Sequence, residues 1–87
     1  MALYRIAWKH SAIKELKSLP KEVVVRIVQA VEHLTENPFP PEVKKLVGSE
    51  RTYRIRKGSY RIIFTVDRSS LVIEIIRIRH RKDVYGR

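Results

Sequence analysis

Cysteine is absent from this chain of 87 residues, so disulfides, thiolate metal sites and cysteine nucleophiles are excluded together. Stability has to come from packing alone. No uninterrupted apolar run approaches the length that crosses a bilayer as a helix. The opening segment MALYRIAWKH also lacks the apolar core of a secretory signal, and the expected compartment is therefore the cytoplasm, with no membrane partner. Glycine occurs three times and proline four times. Pro20 and the run NPFPP at 37–41 are spaced to end and begin helices. The length allows one modest core, so residues 1–87 are expected to form a single domain.

Negative charge is scarce as well: nine Asp+Glu stand against nineteen Lys+Arg, a net charge of +10. The excess is not spread evenly. Residues 1–50 carry eight basic and six acidic side chains, a net of +2, whereas residues 51–87 carry eleven and three, a net of +8. After residue 50 the only lysines are Lys57 and Lys82, and arginine supplies the rest. Arginine presents a planar fork of donors matched to phosphate oxygens, where lysine presents a point charge. Charge of this kind, concentrated in one half of a small domain, points to a nucleic-acid partner.

What is present falls into two periodicities. Leu3–Trp8, with aromatic and β-branched residues, reads as a first strand. Ser11 is placed to cap a helix in which Ile13, Leu16 and Leu19 recur at helical spacing. Pro20 ends that helix and starts a second over 21–36, with Val24, Ile27, Val28, Val31 and Leu34 on one stripe. From Val43 the period changes to two. The segments 43–48, 52–56, 59–66 and 71–80 read as strands, with turns at Lys57-Gly58 and 67–70. The fold class expected is α+β: an N-terminal helical hairpin packed on one face of an antiparallel β-sheet whose other face is open.

The stretch RTYRIRKGSYRIIF, residues 51–64, sets the character of that open face. A two-residue loop at Lys57-Gly58 places Arg54 opposite Arg61, and a four-residue loop places Arg56 opposite Arg61. In either register Arg54, Arg56 and Arg61 share one face, and Tyr53, Ile55, Tyr60, Ile62 and Phe64 share the other. Like charges facing each other across strands are destabilising, and glutamates would have relieved them. Their absence favours a polyanion bound to the arginine face over a merely solvated one. The closing segment IRIRHRKDVYGR adds Arg77, Arg79, His80, Arg81 and Tyr85. Among these, His80 is the side chain suited to proton exchange near neutral pH. Without a bulge in its strand it falls on the Arg61 face. The histidines at 10, 33 and 80 are scattered and form no metal-binding pattern, so no metal or other cofactor is expected.

Together KKLVG, TYRIRKGSYRIIFTVD and RHRKDVYGR, following a helical hairpin, resemble the RelE branch of the RelE/ParE toxin superfamily. The resemblance spans nearly the whole chain. It implies two helices against a twisted antiparallel sheet, and a ribosome-dependent endoribonuclease that enters the A site of a 70S-type ribosome and cuts the mRNA codon there. It further implies a cognate, RelB-like antitoxin that holds the toxin inactive. By position, Arg54 and Arg56 fall on paired basic residues of the family, Arg61 on a phosphate-binding arginine, Arg81 on a C-terminal transition-state arginine, Tyr85 on a tyrosine that orients or stacks the base, and His80 on an acid–base histidine. Arg79 and Arg81 both fit the C-terminal arginine position.

RNA brings its own nucleophile, the 2′-hydroxyl, and the protein needs to align it, stabilise charge on the phosphate and manage two protons. The expected catalytic set is Arg56, Arg61, His80, Arg81 and Tyr85, with Arg54, Lys57, Arg79, Lys44 and Lys45 binding RNA. A guanidinium does not act as a base, and His80 is the favoured general base or acid. A ParE-like gyrase inhibitor, a basic RNA- or DNA-binding module without chemistry, and an inactive relative that binds only its antitoxin are the competing readings.

Overall fold

A computed structural model describes residues 3–80 of the chain. In order these form β1 (Arg5–Trp8), α1 (His10–Lys17), α2 (Lys21–Leu34), β2 (Lys44–Lys45), β3 (Thr52–Lys57), β4 (Tyr60–Asp67) and β5 (Val72–His80). The strands make one sheet in the order β1-β5-β4-β3-β2. The pairs from β2 to β5 are antiparallel, and β1 joins the outer edge of β5 in parallel, Arg5 opposite Val72 and Trp8 opposite Ile75. The meander expected from the sequence is therefore present, with the first strand added to it as a parallel edge.

Helix boundaries follow local chemistry. Ser11 lies inside α1 rather than capping it; Lys9 takes the cap position, and its carbonyl receives the Ala12 and Ile13 N–H groups. The hydroxyl of Ser18 donates to the Glu15 carbonyl at 2.7 Å, occupying an acceptor that the helix end leaves open. Pro20 needs no N–H partner at a helix start, and its carbonyl receives Val23 and Val24. At the other end, Thr35 donates to the Glu32 carbonyl at 2.7 Å, and α2 stops at Leu34.

Both helices cover the same side of the sheet. Ala12 of α1 and Ile27, Ala30, Val31 and Leu34 of α2 are buried with Ile55, Ile62, Phe64, Val66, Ile73, Ile75 and Ile78 of the sheet. At one end Phe39 meets Tyr53 edge-on at 5.1 Å, and Tyr53 stacks on Phe64 at 6.0 Å, so the proline-rich connection is anchored on the core. Arg68 lies over the Phe39 ring at 4.7 Å.

Two departures from the sequence reading bear on the open face. The β3–β4 turn is Gly58-Ser59, with Lys57 opposite Tyr60, rather than Lys57-Gly58. Gly58 takes φ +62°, the left-handed region a glycine enters without steric cost. Arg56 consequently lies opposite Arg61. The second departure is a bulge. Phe64 pairs with Ile75 but Ile63 pairs with Arg77, so β5 carries Ile76 as an extra residue and its alternation changes phase there. Ile73 and Ile75 face the core before the bulge, and Ile78 does after it. His80 therefore sits opposite Tyr60 on the helix side, not on the Arg61 face where an unbroken strand would have put it.

Candidate nucleic-acid interface

The open face of the sheet collects the cations. Arg61 of β4 has Arg56 of β3 directly opposite on one side and Arg79 of β5 directly opposite on the other. Residues so paired have Cβ atoms about 4.5–5.5 Å apart, so three guanidinium groups project side by side from three adjacent strands. The next row runs from Lys44 through Arg54 and Ile63 to Arg77. Arg56 is exposed and Arg54 half-buried. Arg61 is half-buried too, with its Nε shielded from solvent, so its stem is held while it lies between two exposed or part-exposed neighbours. A small hollow of about 50 Å³ lies beside the row, lined by Arg56, Gly58, Ser59, Tyr60 and Arg61.

Arg79 has an acidic neighbour at its side. Oε2 of Glu15 on α1 lies 4.0 Å from its Nε, while Oε1 of the same carboxylate accepts the Ile78 N–H at 2.8 Å. The row is suited to an anion with several oxygens, since it offers planar donors and permanent positive charge.

The remaining residues expected at the site are divided between the faces. Arg54, Arg56, Arg61 and Arg79 share the open face, and Lys44 joins them opposite Arg54. Lys45 lies opposite Tyr53, exposed at the sheet edge. Lys57 lies opposite Tyr60 on the helix side, where it lines a hollow of about 240 Å³ with Arg26, Gln29, Ala30, His33 and Gly58. The His80 ring meets Tyr60 edge-on at 5.0 Å. Arg81 and Tyr85 lie outside the described residues. Among the described residues no group of three or more His, Asp or Glu side chains is placed to hold a metal ion.

Two participants were not in the expected set. Arg77 reaches the open face only because of the bulge, and the adjacent pair Ile75-Ile76, which breaks the apolar alternation, is the mark of it in the sequence. Glu15 has no comparable mark, since its contact with β5 is tertiary.

Comparison with known proteins adds the following. The family model for the ParE toxin of the type II toxin-antitoxin system, parDE, matches residues 6–85. A Methanocaldococcus jannaschii protein that carries the name RelE1 is 34% identical over 76 residues, 84% of each chain. Toxin RelG of Mycobacterium tuberculosis is 28% identical over 88 residues, covering 97% of this chain and 98% of its own. Among solved structures, the archaeal RelE-RelB complex from Pyrococcus horikoshii is similar with a TM-score of 0.81 at 35% identity, covering 90% of this chain and 94% of that one.

Proposed function

We propose that this chain, which belongs to the ParE toxin family of type II toxin–antitoxin systems and stands with its RelE members, is a ribosome-dependent endoribonuclease that cuts mRNA in the A site. The observation that carries the reading is the row Arg56–Arg61–Arg79 across three strands. In this reading the 2′-hydroxyl attacks the adjacent phosphorus and gives its proton to solvent, while the 5′-oxygen of the next nucleotide leaves and takes a proton from solvent, so that a 2′,3′-cyclic phosphate and a 5′-hydroxyl are formed. The row binds the phosphate and offsets the charge that builds up on its oxygens. Arg61, flanked on both sides, takes the central position, and Arg54, Arg77 and Lys44 hold the neighbouring backbone. Arg81 and Tyr85 keep the roles the resemblance implies, a further phosphate contact and a base-stacking ring. Fixed guanidinium charge does the work that a metal would otherwise do, and the reaction is read as metal-independent.

His80 loses the acid–base assignment. It faces Tyr60 on the helix side, and its part is to pack the end of β5. The site of action is the cytoplasm, and the regulator is a RelB-like antitoxin, as the likeness to a solved RelE-RelB complex supports. The match to the ParE family model favours gyrase inhibition as the second reading.

Cleavage on programmed ribosomes, mapped by primer extension, tests this. Wild type should cut within the A-site codon, with and without EDTA, and Arg61→Ala should cut at least about a hundredfold more slowly, as for loss of an oxyanion-stabilising group. An Arg61→Ala protein as active as wild type would remove the arginine row from the mechanism. A folded wild-type protein that cuts nothing but inhibits gyrase would establish the second reading.

A further inference from the structure

β1 leaves the edge of β5 early. Its last pair is Trp8 with Ile75, the Lys9 N–H donates to the Ile75 carbonyl at 2.9 Å, and α1 begins at His10. Beyond that point no described strand lies beside the outer edge of β5. A backbone N–H beside a buried residue needs a partner, and Ile78 is buried. Glu15 supplies it from α1: Oε1 accepts the Ile78 N–H at 2.8 Å, and Oε2 faces Arg79 Nε at 4.0 Å.

The acceptor role alone does not call for charge, since a glutamine amide oxygen would fill it. The second oxygen does. Arg79 stands beside Arg61 and, through it, Arg56, so the row repels itself, and the Glu15 carboxylate is the charge of opposite sign beside its outermost member. An ion pair between part-exposed side chains is ordinarily weak because two long side chains must be immobilised. Here the hydrogen bond to Ile78 already fixes the carboxylate, so only the arginine has to be ordered. The bond also pins β5 directly after its bulge, where slippage by one residue would turn Arg79 away from Arg61.

We propose that Glu15 is a positioning residue that acts through Arg79: one carboxylate oxygen locks the strand after the bulge, and the other holds the guanidinium in the arginine row. Its consequence for catalysis rests on the nuclease reading above; the positioning itself does not.

Glu15→Gln keeps an acceptor for Ile78 and removes the charge, whereas Glu15→Ala removes both, which separates the two roles. In NMR spectra, the Arg79 Nε–H signal should be distinct and ordered in wild type and move to the averaged position of free arginines in both variants. The Ile78 amide should remain slow to exchange in Glu15→Gln and exchange on the order of tenfold faster or more in Glu15→Ala. Single-turnover cleavage should fall on the order of tenfold in Glu15→Gln, through displacement of one charged group, and Glu15→Gln should add nothing in an Arg79→Ala background. An Arg79 signal unchanged by Glu15→Gln overturns the proposal, whether or not the protein cleaves RNA. An Arg79 signal that responds in a protein whose wild type cuts nothing upholds the positioning and overturns the nuclease reading.

Discussion

Arg61 and His80 illustrate how much a residue's role depends on which side of the sheet it occupies. Arg61 lies on the open face with a cation on each flank and a shielded Nε. His80, one residue beyond Arg79, is turned to the opposite side and lies edge-on to Tyr60. General acid–base catalysis is worth about a hundredfold to ten-thousandfold in rate. His80→Gln should therefore leave single-turnover cleavage within about threefold of wild type, below that range. Its cost should fall on stability instead, about 0.5–1 kcal/mol for the lost ring contact, measured by urea unfolding. A hundredfold loss of cleavage with stability intact would return the histidine to proton transfer.

At the scale of elements, the β4–β5 turn and the β5 bulge determine where the last strand lies. The turn is closed by Asp67, whose Oδ1 accepts the Ser69 hydroxyl at 2.8 Å, the Ser69 N–H at 3.0 Å and the Ser70 N–H at 3.2 Å. The Ser69 hydroxyl foremost, the Ser70 side chain next and then the backbone N–H groups favour the carboxylate and lower its pKa from 3.8 to about 2. A pKa lowered on folding gives stability that is present above the unfolded value and is lost as pH falls through the folded one. Asp67→Asn should accordingly unfold at a lower temperature than wild type at neutral pH, and the gap should close between about pH 4 and about pH 2. A gap that persists at pH 2 would assign the effect to shape rather than charge. The parity of residues 53–64 was legible in the sequence because both hairpin strands alternate cleanly, and either turn length keeps the arginines together. The α2 stripe was legible for the same reason. The phase change in β5 was missed: an unbroken strand with Ile73 and Ile75 in the core would also have buried Arg77 and Arg79, and one extra residue avoids that cost. The placement of Lys57 toward α2 followed from the position of the turn, one residue later than expected. Glu15 was out of reach, since no local pattern links residue 15 to residue 78.

Taken as a whole, the molecule separates its two surfaces: helices and core on one side, and on the other a sheet face bearing Lys44 and six arginines, 5, 54, 56, 61, 77 and 79. That separation is completed late. β1 is made early, yet its partner is β5, which follows every other described element, and Arg5 waits for Val72 as Trp8 waits for Ile75. Ile73, Ile75 and Ile78 then fill the core, and Arg79 brings the third guanidinium to the row. Pairings so distant in the chain form slowly. A chain ending at Ser70 should be degraded by protease under conditions that spare the full chain; equal resistance would mean that the sheet closes without β5. For a protein read as an attacker of ribosomes, this order of manufacture serves as a safety catch: the arginine row stays incomplete until β5, the last described element, has been made.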